Sequence, residues 1–178
     1  MGVLVETAER MACEAHAAQR RKWTDKPYTD HLRRVANRVA AYPESTQEMG
    51  AAAWLHDTVE DTSLTAAEIE VALGPAVAAL VVELTNPSKG RKNLLRKDRK
   101  AMDRAHLATV SRAAKIIKML DRIDNLSDCD AAPRTFRVLY AMESAMLADV
   151  VGDADPRLES ELRTAAARYD PTLHKGEV

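Results

Sequence analysis

The segment that most constrains the fold is a short run that is apolar on every side and ends at a histidine. Residues 49–55 read MGAAAWL, so a helix over them has no polar face. Such a helix belongs in the middle of a bundle, where neighbouring helices cover it all round. Ser45 or Thr46, just before the run, is suited to cap its N-terminus. His56 and Asp57 follow directly, so the sequence predicts ionisable groups at the end of a buried helix.

The remaining composition favours an all-α fold. Aromatic residues make up only 4% of the 178 residues, whereas the helix formers Ala, Leu, Arg and Glu are plentiful. Clusters of β-branched residues joined by tight hairpin turns are absent from the sequence. We therefore predict a helical bundle of about 8–10 helices. We expect residues 1–170 to form one domain, followed by a frayed tail over residues 171–178.

Charge and cysteine content narrow the classes of partner and compartment. The formal net charge is -1, which gives no global electrostatic attraction to nucleic acid or membrane, so local basic residues must hold any anionic ligand. No apolar stretch approaches the roughly 18 residues of a membrane span. Cys13 and Cys129 form no metal-like or redox-like pair, and the first ten residues resemble no signal peptide. We expect a cytoplasmic protein with reduced thiols and a small-molecule ligand; the sequence does not indicate an oligomeric state.

The sharpest local pattern is LHDTVEDT, residues 55–62. If helical geometry continues through it, His56 shares a face with Glu60, and Asp57 shares one with Asp61, at i,i+4 spacing. Buried charges are costly unless they are paired or bind a metal. One imidazole beside one carboxylate supplies two ligands suited to a borderline or hard divalent cation.

Two further donors fall at the edges of apolar helix faces elsewhere in the chain. His31 lies beside the apolar stripe of a predicted helix over residues 29–41. Asp121 borders the apolar arc of a helix over residues 111–126, with Asn125 further round on the same side. Each of these residues alone is equally compatible with an ordinary bundle whose helix ends are polar. Their joint order along the chain is what indicates one shared metal site.

Four blocks carry a resemblance to a known family. They are HAAQRRK with PYTDH (residues 16–31), LHDTVEDT (55–62), RKDRK (96–100) and KMLDRIDNL (118–126). With these blocks the sequence resembles the small alarmone hydrolases, the hydrolase half of the RelA/SpoT proteins, in the HD phosphohydrolase superfamily. The resemblance implies an HD-domain helical fold and hydrolysis of (p)ppGpp, which releases the 3′-pyrophosphate and returns GDP or GTP.

The resemblance also implies a role for individual residues. The ligands of one divalent ion, usually Mn²⁺, would be His31, His56, Asp57 and Asp121. The residues that orient or deprotonate the attacking water would be Glu60 and Asp61. The substrate contacts would be Arg21 on the nucleobase, Lys22, Arg96 and Asn125 on phosphate or ribose, and Tyr140 near the ribose or phosphate.

Simpler interpretations exist for the substrate residues. Arg21 and Lys22 also suit a helix C-terminus, where cations are favoured by the macrodipole. The basic run over residues 89–100 is by default a solvated face. Phe136 and Tyr140 are four residues apart, which is equally the spacing of core packing.

Three departures from the family pattern keep other substrates open. Leu32 replaces the usual proline after the histidine, Ser127 replaces a common arginine, and Asp124 stands where an aromatic residue or histidine is common. We expect Asp124 to face the pocket and repel a polyphosphate. The same metal site would also suit a ppApp-type alarmone or the 2′-phosphate of NADPH. A non-catalytic nucleotide-sensing module is the other alternative, and the intact Glu60 and Asp61 argue against it.

Overall fold

The computed structural model describes residues 2–170, which are built of α-helices with no β-strand among them. The ten α-helices of this range are α1 (Val3–Ala15), α2 (Tyr28–Ala40), α3 (Gln47–Leu55), α4 (Thr58–Asp61), α5 (Ala66–Leu73), α6 (Pro75–Leu84), α7 (Arg96–Leu107), α8 (Arg112–Ser127), α9 (Arg134–Val151) and α10 (Pro156–Ala167). Two 3₁₀ turns, Cys129–Ala131 and Gly152–Ala154, flank α9. The all-α prediction is confirmed, and the helices of residues 2–170 match the predicted number.

Helix α3 lies at the centre of the bundle, as its uniformly apolar sequence predicts. All residues from Met49 to Leu55 are buried, and α3 packs against α1, α2 and α6. Thr46 caps the helix by accepting a hydrogen bond from the backbone N–H of Met49 at 3.2 Å. Because α3 is buried from Met49 onward, it places His56 at its C-terminal end in the interior of the protein.

Several helix ends follow recognisable signals in the sequence. The side chain of Thr65 and that of Glu68 form a capping box at the start of α5. Gly74 has φ of 87°, a conformation that glycine adopts without a Cβ clash, and it separates α5 from α6. Ser111 caps α8, and Asp155 caps α10 through the backbone N–H groups at its start.

Two predicted helical stretches are interrupted. Apolar residues recur at helical spacing from residue 3 to about residue 21, which predicts one helix over that range, but α1 ends at Ala15. After it the chain turns back on itself, with Arg21 N–H donating to the Lys26 carbonyl at 2.8 Å and an isolated bridge between Arg20 and Pro27. Helical geometry also breaks at the end of α3, and Asp57 is the residue that precedes the short helix α4.

Helix α8 carries the last block of the sequence pattern through the protein. It packs against α2, α9 and α10, and most of its residues are buried. The buried ones include the charged residues Lys115, Lys118, Asp121, Arg122 and Asp124. Within residues 2–170, no helix has both the length and the apolar character needed to cross a bilayer. The assignment of residues 1–170 to one domain stays a prediction, and the expected frayed tail, residues 171–178, lies outside the described residues.

Candidate active site

Four side chains predicted as metal ligands lie together in the interior. One donor atom from each of them lies within 4.8 Å of the others. They come from three places in the fold: α2, the junction of α3 and α4, and α8. The residues of this cluster are His31, His56, Asp57 and Asp121.

The two imidazoles each leave one nitrogen without a hydrogen-bond partner. His56 Nδ1 lies 2.8 Å from the Ala53 carbonyl, so Nδ1–H donates to it and Nε2 faces the cluster. That Nε2 atom is buried, has no hydrogen-bond partner, and lies 3.1 Å from Asp57 Oδ2. His31 Nε2 is likewise buried and without a partner, 3.3 Å from Asp121 Oδ1. Two orphaned nitrogens facing two carboxylates form a donor set that fits a divalent cation.

Without an ion, the neighbouring carboxylates favour the protonated form of both imidazoles. Burial lowers the pKa of His31, but its contacts with Asp121, Asp124 and Asp57 outweigh burial and raise the pKa to about 9. The same opposition, with Asp57 as the main attracting group, raises the pKa of His56 well above its ordinary value. A divalent ion therefore competes with protons for both rings when it binds.

Two residues of its own helix, Lys118 and Asn125, hold the two carboxylate oxygens of Asp121. Lys118 Nζ lies 3.0 Å from Asp121 Oδ2, and Asn125 Nδ2 donates to Asp121 Oδ1 at 2.5 Å. Burial raises the pKa of Asp121, but Lys118 and the two histidines lower it to well below its ordinary value. The carboxylate is therefore ionised, with Oδ1 directed toward the imidazoles.

Tyr28 is a member of the site that sequence reasoning did not single out. Its hydroxyl donates to Asp57 Oδ2 at 2.5 Å. Its ring stacks on His16 with centroids 4.9 Å apart, and it meets the edge of His31 at 5.6 Å. The available signal was its position at the start of α2, one turn before His31.

The two carboxylates after Asp57 have different surroundings. Glu60 is half-buried and accepts two hydrogen bonds from Asn86, from the backbone N–H at 2.6 Å and from Nδ2 at 2.8 Å. Burial raises the pKa of Glu60 against the opposing charge of Lys118. Asp61 is exposed and touches Lys89 Nζ at 3.4 Å.

A cavity of about 270 Å³ opens beside the cluster. It is joined to the cluster by Tyr28 and Asn125, which line it and contact Asp57 and Asp121 respectively. Its lining combines cations with aromatic rings and includes Arg20, Arg21, Lys22, Trp23, Phe136 and Tyr140.

The structure places four of the five predicted substrate residues on this cavity. They are Arg21, Lys22, Asn125 and Tyr140. Arg21 Nη2 donates to Asn125 Oδ1 at 2.7 Å, and the ring of Tyr140 stacks on Phe136 with centroids 5.4 Å apart. Arg96 is not part of the lining, because its guanidinium pairs with Glu143 through two hydrogen bonds of 2.7 and 2.9 Å.

Asp124 does not face the cavity, contrary to the expectation from the helical wheel. Its carboxylate is buried against His31 and Arg34, which lie on α2. Ser127 Oγ donates to the Asp124 carbonyl at 2.6 Å and is also absent from the cavity lining. Asp124 therefore gives no reason to expect repulsion of a polyphosphate bound in the cavity.

The fold and the cluster define an all-α protein with a histidine and aspartate centre that could hold a metal ion. A family model described as an HD domain matches residues 8–164. The chain belongs to the HD-domain family, among the relatives of the small alarmone hydrolases that its sequence resembles.

The curated relatives include animal proteins named guanosine-3′,5′-bis(diphosphate) 3′-pyrophosphohydrolase MESH1. The Xenopus tropicalis protein is 38% identical over 128 residues, which cover 70% of this chain and 69% of the relative. The Homo sapiens protein is 36% identical over 128 residues, covering 70% and 68%. Among solved structures, one described as a metazoan orthologue of SpoT that hydrolyses ppGpp superposes with a TM-score of 0.84. It is 27% identical and the alignment covers 94% of this chain and 96% of that one.

Proposed function

We propose that the protein is a metal-dependent phosphohydrolase that removes the 3′-pyrophosphate from (p)ppGpp and returns GDP or GTP. The observation that carries this proposal is the pair of buried, unpartnered Nε2 atoms of His31 and His56, which face Asp57 and Asp121 beside the cation-lined cavity. The choice of ppGpp as substrate is supported by the names of relatives that are 36 to 38% identical.

The four clustered side chains are the proposed ligands of one divalent ion. Two nitrogens and two carboxylates give a mixed donor set with two negative charges, and Mn²⁺ is the ion we propose. When bound, such an ion supplies Lewis acidity that polarises a phosphoryl oxygen and lowers the pKa of a water. The protein's part is to hold the donor atoms: Lys118 and Asn125 hold Asp121, and Tyr28 holds Asp57.

Glu60 is the proposed general base for the attacking water. Its raised pKa brings the carboxylate closer to neutral pH, where a base combines ionisation with proton affinity. The two hydrogen bonds from Asn86 engage Oε1, so Oε2 is the oxygen free of Asn86. Asp61 is proposed to orient the water. Its carboxylate is held by Gln19, which lines the cavity, and by Lys89.

The cavity is the proposed site of the nucleotide. The planar guanidinium of Arg21 is suited to stack on a base, and Lys22 offers a compact charge for phosphate. Asn125 joins Arg21 to Asp121, which links the base subsite to the metal centre. A contact of Arg96 with phosphate stays part of the proposal and requires that Arg96 be released from Glu143.

We also propose a cytoplasmic location and no nucleic-acid partner. Cys13 and Cys129 are free thiols, which suits a reducing compartment. The net charge of -1 offers no general attraction to a polyanion.

The test is a substrate panel with the purified protein and Mn²⁺. ppGpp, ppApp, NADPH and nucleoside monophosphates are incubated separately, and pyrophosphate and phosphate are measured separately. We expect pyrophosphate from ppGpp. We expect its loss in EDTA and in the Asp121→Ala variant, because Asp121 is a proposed ligand.

Each other outcome identifies a different function. Pyrophosphate from ppApp alone, or phosphate from NADPH, assigns the same centre to the alternative nucleotide. No release from any substrate, with nucleotide binding retained, assigns a sensing module. Activity that survives both EDTA and Asp121→Ala contradicts the metal assignment.

A further inference from the structure

The metal-cluster histidine of α2 has its second ring nitrogen on a carboxylate. His31 Nδ1 lies 2.6 Å from Asp124 Oδ2, while Nε2 faces Asp121 and Asp57. His31 is fully buried and Asp124 is 5% exposed. Asp121 and Asp124 are one turn apart on α8, so one helix presents one carboxylate to each side of the same imidazole.

A buried carboxylate at this position needs its own counter-charge, and Arg34 provides it. Arg34 Nε donates to Asp124 Oδ1 at 2.7 Å and Nη2 donates to Asp124 Oδ2 at 2.8 Å. This two-point contact orients the plane of the carboxylate and neutralises its negative charge. Arg34 Nη2 also bonds to Asp128 at 2.8 Å, which holds the guanidinium in place. His31 and Arg34 are one turn apart on α2, and both reach across to Asp124 on α8.

His56, the other histidine of the cluster, has no carboxylate from residues 2–170 on its second ring nitrogen. Its Nδ1–H donates to the Ala53 carbonyl at 2.8 Å, which is neutral and comes from its own helix. The partner of His31 is charged, comes from another helix, and is held by an arginine. A carboxylate on one nitrogen keeps the proton there, which leaves the lone pair of the other nitrogen for a metal and makes it a stronger donor.

We propose that Asp124 is a positioning residue that sets the tautomer and the ring orientation of His31, and that Arg34 holds Asp124 for this role. The inference rests on the metal assignment of the proposed function. Asp124 stands where the family pattern has an aromatic residue or histidine. In this inference it acts on a metal ligand and does not contact the substrate.

The experiment measures Mn²⁺ affinity by calorimetry without any nucleotide. The variant is Asp124→Asn, which keeps the size of the side chain and removes its charge. We expect Mn²⁺ binding about 10- to 100-fold weaker than in the unmodified protein. The matched control is Asp153→Asn, which removes an exposed carboxylate that pairs with Lys115 on α8 rather than with His31 or Arg34. We expect its Mn²⁺ affinity to stay within about twofold of the unmodified protein.

A kinetic measurement separates positioning from general damage to the fold. Raising Mn²⁺ restores most of the turnover lost in Asp124→Asn, with KM for nucleotide unchanged, because only the loading of the centre is weakened. A variant damaged in its fold melts at a lower temperature and is not restored by Mn²⁺. Lost turnover that saturating Mn²⁺ leaves unrestored in a normally folded Asp124→Asn protein contradicts the inference.

A measurement on the unmodified protein keeps the test valid if the variants do not fold. In the Zn²⁺-loaded protein, proton NMR should show a strongly downfield, slowly exchanging His31 Nδ1–H signal, as expected for a donor to a buried carboxylate. An ordinary shift with rapid exchange overturns the inference, as does unchanged Mn²⁺ affinity in Asp124→Asn. Failure of the unmodified protein to bind Mn²⁺ or Zn²⁺ overturns the proposed function instead.

Discussion

Lys118 and Asp121 form a buried ion pair one helical turn apart, with Nζ 3.0 Å from Oδ2. Burial disfavours the charge on Lys118, but Asp121, Asp57 and Glu60 outweigh it and raise the pKa of Lys118. The lysine is therefore a positive charge that balances the carboxylates of the centre in the metal-free protein.

Replacing this lysine should destabilise the metal-free protein strongly. Lys118→Met leaves Asp121 buried without its main counter-charge, which costs about 3–5 kcal/mol of unfolding free energy. Lys115→Met, one turn earlier on α8, is the control, because its partner Asp153 is 69% exposed and such a pair contributes about 1 kcal/mol or less. Urea unfolding in EDTA measures both. Equal losses in the two variants would contradict the role of Lys118.

The stability of the metal-free protein should fall as pH rises. The pKa of His31 is about 9 in the folded protein against an ordinary 6.5, so the folded state binds this proton more tightly. Its contribution is fully present below about pH 6.5 and is lost as pH rises through about 9. Urea unfolding in EDTA across this range measures the decline, and His31→Gln should flatten it. A stability that rises over the same range in the unmodified protein would be the contrary result.

Binding of a divalent metal ion should restore the unfolding free energy that is lost as pH rises. Mn²⁺ at 100 times its dissociation constant should add about 2.7 kcal/mol to the unfolding free energy if it binds only the folded state. The gain requires the intact cluster, so Asp121→Ala should show none. Thermal melts with Mn²⁺ and with EDTA measure the difference. A similar gain in the Asp121→Ala variant would place the ion elsewhere.

Removing the proposed base should affect turnover and spare binding. Glu60→Gln keeps an acceptor for Asn86 and loses the proton acceptor, so we expect kcat for ppGpp to fall by about 10²- to 10⁴-fold. KM and Mn²⁺ affinity should change little. Glu70→Gln, on the exposed surface of α5, is the control. Steady-state kinetics decides the matter, and a kcat within a few-fold of the unmodified enzyme would exclude Glu60 as the base.

Arg21 should control nucleotide affinity. Arg21→Met removes the guanidinium that lies over Tyr28 and bonds to Asn125 in the cavity, and we expect KM for ppGpp to rise about tenfold, in line with the loss of one cation–π contact. Arg10→Met is the control, because Arg10 lies on the exposed face of α1 and pairs with Glu14 one turn further along the same helix. A KM that is the same in both variants would remove Arg21 from the base subsite.

The parts that the sequence predicts well are those governed by local spacing. The apolar run of α3, the capping box at Thr65 and the glycine stop at Gly74 all depend on residues within a few positions of one another. The extent of α1 was not predictable in this way, because the turn over residues 16–27 is closed by backbone hydrogen bonds that no side-chain pattern encodes.

The features that the sequence does not predict depend on side-chain partners from distant parts of the chain. The helical wheel places Asp124 in an apolar arc, but the carboxylate finds Arg34, 90 positions earlier in the chain. The family resemblance implies a phosphate or ribose contact for Arg96, whereas Glu143 on another helix engages its guanidinium. Periodicity identifies the face of a helix; the identity of the helix packed against that face comes from the tertiary fold.

The aromatic lining of the cavity has a practical consequence. The protein has two tryptophans: Trp54 is 2% exposed in the core, whereas Trp23 is half-buried at the cavity. Their fluorescence therefore comes from two separate surroundings. A soluble quencher such as iodide reaches Trp23 and not Trp54, so nucleotide occupancy and global unfolding each have an intrinsic optical reporter that needs no label.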